Sequence, residues 1–227
     1  MVRAWLVSLI LAACPQAQAE PCTPRDVRVM FLGGSITAGC HDGGSDSAYR
    51  LMLQETIPEF TPVGSLTTNC SGSSAAHEGH GGWTIGQVAD VAAGLMADYE
   101  PDVVVLLIGT NNYRDDDADF RAEYQALADA LQGDVYAVTP PPIGYGRTPE
   151  TSYWTDEWVD GRNVLLSSMG DALHDVVGVS VVDVRGQFAR EHMVPDAVHL
   201  NAAGHRIIAD ALLEQINFCE ADDDDTP

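Results

Sequence analysis

Lysine is missing altogether: the eleven basic residues are all arginine, set against 34 acidic ones, and the formal net charge is −23. A surface so short of positive charge repels phosphate backbones and anionic lipid, which excludes nucleic acid as a partner and favours a neutral substrate. Aromatic residues are few, at 7%. No apolar run after the first twenty residues is long enough to cross a membrane, so no membrane span is expected in the body of the chain. Neither a Pro/Gly/Ser-rich linker nor an internal repeat divides the 227 residues, which suffice for one domain with a full core.

The amino terminus reads as an export signal over residues 1–19: Arg3, an apolar core from Ala4 to Ala13, then Ala17-Gln18-Ala19, the small-x-small pattern that precedes cleavage. The folded domain is expected over residues 20–220, followed by a solvated acidic tail, 221–227. Leu11-Ala12-Ala13-Cys14 also has the form of a lipobox, in which Cys14 would carry a lipid anchor. Both readings stand at this point, a secreted or periplasmic protein and a membrane-anchored lipoprotein. Either cleavage leaves Cys22, Cys40, Cys70 and Cys219 for pairing in an oxidising compartment. Of the three connectivities, Cys22–Cys219 would tie the two ends of the domain while Cys40–Cys70 braces two loops; free buried cysteines are the other reading.

Strand and helix patterns alternate along the chain. The apolar run from Val27 to Leu32 reads as a buried strand emptying into Gly33-Gly34-Ser35. A polar loop, Cys40 to Asp46, leads to a helix from Ser47 to about Thr56, then a strand over Phe60 to Leu66. Thr67 to Gly82, rich in Ser and Gly and without apolar period, is expected to be a long functional loop. Thr84 caps a helix burying Ile85, Val88, Ala92 and Leu95; Asp102 to Ile108 is a central strand ending in Gly109-Thr110-Asn111-Asn112. A helix from about Asp117 to Leu131 and a strand, Asp134 to Thr139, precede Pro140 to Trp158, a segment with Tyr145, Tyr153 and Trp154 read as an insertion over the active face. A helix from about Arg162 to Val176, a strand from Val179 to Val184, and a last helix from Ala202 to about Phe218, capped by Asn201 and burying Ile207, Ile208, Ala211, Leu212 and Ile216, complete the series. Five strands alternating with helices predict an α/β fold, a parallel sheet covered on both faces.

Ser35, at the carboxyl edge of the first strand, is the candidate nucleophile, because open α/β sheets bind substrates at that edge. It does not lie in a Gly-x-Ser-x-Gly elbow, since Thr37 replaces the second glycine, and no Gly-Lys-Ser/Thr follows to make a phosphate loop. Asp196 and His199, three apart in a turn entering the last helix, can lie side by side, so that the carboxylate holds the Nδ1 proton and Nε2 is left as a base. Acyl transfer also needs donors for a developing oxyanion: the Ser35 and Gly82 backbone N–H groups and the Asn111 side-chain amide are the candidates. His41, His174, His192 and His205 compete as bases, but none follows an Asp by three residues at a loop-to-helix junction; His41, close after Ser35, is a candidate pocket residue. His77 and His80 have ligand-like spacing without a third ligand, so no metal is expected and they are read as shaping the loop that carries Gly82.

Gly33-Gly-Ser35-Ile-Thr, Gly81-Gly82-Trp-Thr, Gly109-Thr-Asn111-Asn and Asp196-Ala-Val-His199 resemble, in order, the four sequence blocks of the SGNH/GDSL hydrolases, and the resemblance runs from Val27 to about Ile216. It implies a three-layer α/β/α, flavodoxin-like sandwich with a five-stranded parallel sheet. It also implies a serine esterase or lipase without a cofactor, with Ser35 as nucleophile, His199 as base, Asp196 as its partner, and Ser35, Gly82 and Asn111 as oxyanion hole. Gly34 stands where the family's name motif has Asp, and Asn112 where Asp often follows the Asn. Pro62-Val-Gly-Ser65 and His77-Glu78-Gly79-His80-Gly-Gly-Trp83-Thr-Ile further resemble carbohydrate esterase family three, whose members remove acetyl groups from xylan. The expected substrate is then a small ester or acetylated carbohydrate, with His41, Tyr145 and Trp154 as candidate contacts; a lipolytic enzyme or thioesterase and a non-catalytic sugar-binding module are the alternatives.

Overall fold

The computed structural model describes residues 27–39, 47–69, 72–112, 119–144 and 154–216. The expectations for the export signal, Cys14, Cys22, Cys40, Cys70, Cys219, His41, Tyr145 and the acidic tail lie outside the described residues. Strand β1 (Arg28–Gly33) is central and, apart from Arg28, buried throughout, with β5 (Val103–Leu107) beside it in parallel from Val29↔Val103 to Gly33↔Leu107. β6 (Asp134–Val138) and β7 (Ser180–Val182) continue the parallel sheet on that side. On the other side of β1 one position is shared: β2 (Thr61–Val63) pairs with its first half and β4 (Gly72–Gly79) with its end. Counting that shared position once, five parallel positions run in the flavodoxin-like order 2-1-3-4-5.

Alternation along the strands divides the core in two. Val29, Phe31, Val103, Val105 and Leu107 face α2 (Tyr49–Thr56) and α6 (Ala202–Leu213), whereas Met30, Leu32, Val104 and Leu106 face α3 (Ile85–Tyr99), α4 (Phe120–Ala130) and α5 (Asp156–His174). Strands covered on both faces need apolar residues at every position, which is why β1 and β5 read as unbroken apolar runs.

The expected loop from Thr67 to Gly82 is instead largely sheet: β3 (Leu66–Asn69) pairs antiparallel with β4, and β4 carries the edge next to β1. Leu66, placed at the end of a single strand from Phe60, begins β3 instead, since Gly64 at φ 150 separates it from β2. β4, Gly-Ser-Ser-Ala-Ala-His-Glu-Gly, has no large apolar residue because it buries His77 and Glu78 through hydrogen bonds in place of aliphatic packing. Helix α5 starts six residues before the expected Arg162, so the end of the presumed insertion is helical. The Thr155 side chain accepts from the Trp158 N–H, and Asp156 and Glu157 complement the dipole of the first turn. The Asn201 cap is as expected, accepting from the Ala203 and Gly204 N–H groups.

At their ends β1 and β4 pair glycine with glycine, Gly33↔Gly79, and the short helix α1 (Ser35–Ala38) seats on that pair. A Cβ on Gly79 would lie 2.3 Å from the Ala38 nitrogen, and one on Gly33 2.0 Å from the Leu107 carbonyl oxygen. Arg50, 1% exposed, locks the other side of α1, donating to the carbonyls of Thr37, Ala38 and Ala75. Gly79→Ala is therefore expected to cost about 3 kcal/mol of stability by forcing α1 off its seat; urea unfolding checks it, and a loss below about 0.5 kcal/mol would contradict the packing argument.

Candidate active site

Ser35 is the first residue of α1 and has only intermediate exposure, while Ile36, Thr37 and Ala38 behind it are buried. The hydroxyl is thus presented from a rigid seat at the carboxyl edge of the sheet. His199 arrives from the other end of the sequence: its Nε2 is 2.8 Å from Ser35 Oγ, and its Nδ1 is 2.7 Å from Asp196 Oδ2. A carboxylate can only accept, so Nδ1 carries the proton and Nε2 is left to accept from the serine hydroxyl. The other Asp196 oxygen, Oδ1, accepts from the Val198 and His199 N–H groups at 2.9 Å each. Burial alone would raise the Asp196 pKa, but the His199 ring and those two N–H groups together outweigh it and hold the carboxyl well below its usual range.

The turn that carries this pair is fastened at several points. Val194 N–H donates to the His199 carbonyl and Ala197 N–H to that of Val194. Ala197, buried and left-handed at φ 59, has its carbonyl held by the Gly144 N–H. Ile143, one residue earlier, exchanges two hydrogen bonds with the Asn163 side chain of α5. The segment after Pro140 therefore braces the Asp196–His199 turn, a role the sequence reading of it as an insertion did not include.

Asn111 lies in the 3-10 turn Thr110–Asn112 just past β5, whose end is fixed by the Tyr124 hydroxyl donating to the Ile108 carbonyl at 2.7 Å. One Asn111 amide N–H donates to the Trp83 carbonyl at 2.9 Å, which leaves the second for another acceptor. Gly34, Ser35, Ile108 and Asn111 share one crevice of about 10 Å³, room for about one water. Gly82 stands in the turn between β4 and α3, closed by the Trp83 N–H donating to the His80 carbonyl; its φ of 82 is that of the third residue of a type II turn. Asn112 was missed as a site residue: its buried Oδ1 accepts from the Ile85 N–H and ties the Asn111 turn to the start of α3. The signal available was a second polar residue at the strand's end.

The competing histidines are engaged elsewhere. His174 Nε2 lies 3.6 Å from Asp183, and His192 Nδ1 accepts from the Ala189 N–H. His205 is fully buried in α6, accepts the Tyr49 N–H at Nδ1 and stacks on the Tyr49 ring; burial, then the His199 and Arg50 charges, lower its pKa to about 3. His77 donates from Nε2 to the Thr68 carbonyl and accepts the Gly79 N–H at Nδ1, so both nitrogens are committed. Burial, then the Arg50 charge, lower its pKa to about 4. Among the described residues no group of three or more His, Cys, Asp or Glu side chains could hold a metal ion, and no helix is long and apolar enough to cross a membrane.

Residues 31–207 match the sequence model of the GDSL-like lipase/acylhydrolase family. A multidomain esterase from Ruminococcus flavefaciens is 25% identical over 91% of this chain, which spans about a third of that relative's length, 30%. Among solved structures, a family 3 carbohydrate esterase from Clostridium thermocellum superposes with a TM-score of 0.63 at 23% identity, covering 83% of this chain and 94% of that one. The native M. smegmatis aryl esterase gives 0.64 at 18% identity, covering 83% and 97%.

A pH dependence of stability follows from the two buried imidazoles. The unfolded chain protonates both near pH 6.5, whereas the folded chain resists protonation down to about 4 at His77 and about 3 at His205. The unfolded state thus takes up more protons across that window, and stability falls as pH falls through it, by at most about 2.7 kcal/mol per pH unit. Asp196 adds its own loss at lower pH, around and below 3.8, where the unfolded carboxyl takes up its proton and the folded one does not. Urea unfolding at pH 7, 6 and 5 checks this: His205→Gln should remove about one proton from the slope, and an unchanged slope would contradict it.

Proposed function

Since this chain belongs to the GDSL-like lipase/acylhydrolase family, we propose that it is an exported serine esterase that hydrolyses short-chain acyl esters, with O-acetyl groups on carbohydrate as its substrates. The observation that carries the reading is the hydrogen-bonded line from Asp196 through His199 to Ser35, 2.7 and 2.8 Å. Ser35 Oγ attacks the acyl carbon while its proton passes to His199 Nε2. The imidazolium, held by Asp196, then protonates the departing alcohol, and a water activated by the same ring hydrolyses the acyl-enzyme. The N–H groups of Ser35 and Gly82 and the uncommitted Asn111 amide proton receive the oxyanion.

The crevice beside Ser35, with room for about one water, gives no space to a long acyl chain. Each further buried methylene would contribute about 0.8 kcal/mol only if an apolar groove received it. The carbohydrate assignment is supported by the resemblance of the His77-to-Ile85 segment to carbohydrate esterase family three and by the fold shared with the Clostridium thermocellum enzyme. Trp154 and Trp158, with ring centroids 4.8 Å apart, stand at the start of α5, the helix that braces the Asp196–His199 turn, and are suited to serve as a sugar platform. Export rests on the amino-terminal segment and is tested by mass spectrometry of the mature amino terminus, Cys14 against Glu20.

Ser35→Ala and His199→Ala should each lower ester turnover by about 10,000-fold or more, and Asp196→Ala by less. Near wild-type turnover in Ser35→Ala would remove Ser35 from the mechanism. On nitrophenyl esters kcat/KM should fall from acetate to butyrate and be negligible at octanoate. Activity rising up to octanoate would replace the carbohydrate reading with a lipolytic or thioesterase one. Trp154→Ala should weaken deacetylation of acetylated sugars while leaving nitrophenyl acetate hydrolysis unchanged.

A further inference from the structure

Glu78 is a carboxyl group 1% exposed in the last turnless stretch of β4, and no step of the ester hydrolysis uses it. A carboxyl so buried is costly unless both oxygens are bonded, and here both are: Oε1 accepts from the Ser65 N–H, and Oε2 lies 2.8 Å from His80 Nε2. His80, two residues on, is thereby fixed in orientation. Its ring stacks on the indole of Trp83, centroids 3.8 Å apart and planes 10° apart. The backbone of His80 ties the same turn to the nucleophile, because its N–H donates to the Gly33 carbonyl at 2.8 Å and its carbonyl accepts from the Trp83 N–H at 3.3 Å. The Trp83 carbonyl in turn receives the Asn111 amide at 2.9 Å.

We propose that Glu78 and His80 form a second carboxyl–imidazole pair whose task is positioning: it clamps Trp83, and through the Trp83 carbonyl it aims the Asn111 amide at the acyl oxyanion of the tetrahedral adduct on Ser35. Neither side chain touches the reacting atoms. The first pair, Asp196–His199, moves a proton, whereas this one holds a donor still. A donor that acts on charge present only in the transition state affects kcat, not ground-state binding. The inference rests on the esterase reading for its consequence in turnover, but the link from His80 to Asn111 is a statement about geometry and is testable without turnover.

The test is a double-mutant cycle on nitrophenyl acetate with His80→Ala, Asn111→Ala and the double variant, alongside Ser35→Ala. His80→Ala should lower kcat about 10- to 30-fold with KM within twofold, Asn111→Ala about 100-fold or more, and the double variant should be no slower than Asn111→Ala within about threefold. Losses that multiply in the double variant overturn the proposal while leaving the esterase reading intact, as does a His80→Ala effect confined to KM. If His80→Ala does not fold, Glu78→Gln/His80→Ala, which removes the buried charge with its partner, takes its place. Independently of activity, the Asn111 side-chain amide resonances should shift in the His80 variant; resonances unmoved overturn the positioning link. Full turnover in Ser35→Ala removes Ser35 from the mechanism, and the resonances then still decide the link.

Discussion

The close approach of three backbones at Gly33 is the constraint on which the site depends. β1 and β5 come together so tightly at their carboxyl ends that the Leu107 carbonyl occupies the space of a Gly33 side chain, and α1 fills the space of the side chain missing from Gly79. With Ser35 leaving one strand and Asn111 four residues past the other, hydroxyl and amide are brought to a single crevice. Any side chain at either glycine would move one partner relative to the other. Because reactive groups misplaced by about 1 Å can lose about 100-fold in rate, the packing of two glycines bears on the proposed catalysis as much as on the structure.

His199 reaches Ser35 across 164 residues of sequence, and its placement is secured differently. No strand carries His199; a turn does, and turns move unless they are overdetermined. Here Ala197 holds a left-handed conformation that costs an alanine roughly 1–2 kcal/mol. It persists because its carbonyl is held by Gly144, its N–H by Val194, and its side chain is buried. Asn163 and Ile143 extend that restraint into α5, so the longest helix of the sheet's outer layer anchors the histidine turn. The strain is local, and the hydrogen bonds that offset it also fix the direction of the imidazole.

Features set by neighbouring residues in the chain were legible in the sequence. The runs that became β1 and β5, the Asn201 cap, and the Ser35, Asp196 and His199 set each carry a signal within a few positions. What escaped was set by partners distant in sequence. β4 reads as a loop because its stability comes from pairing Leu32 and Gly33 and from satisfying His77 and Glu78 with polar partners, neither of which leaves an apolar period. The bracing role of Ile143 and Gly144 depends on Asn163 and Ala197, and Asn112 acts on Ile85, 27 residues away. Thr155-Asp156-Glu157 was a readable cap obscured by the aromatic residues around it.

The two departures from the family pattern can now be weighed by contact. Gly33 cannot be replaced without a clash, but its neighbour Gly34 can: its backbone, φ −94 and ψ −153, lies in the extended region open to any residue, and a Cβ there would meet nothing nearer than Asn111 Nδ2 at 3.5 Å. Glycine at 34 is therefore not demanded by sterics, and an aspartate in its place would alter neither the seat of α1 nor the strand pairing. At 112 the working atom is a side-chain oxygen accepting the first N–H of α3, which an aspartate supplies equally well, with the added favour of a negative charge at a helix amino terminus. Both substitutions thus preserve the atom or the space that the site uses. The family's name motif describes a common way of filling position 34, while the geometry that defines the site resides in Gly33, Ser35 and the Asn111 amide held by the Trp83 carbonyl.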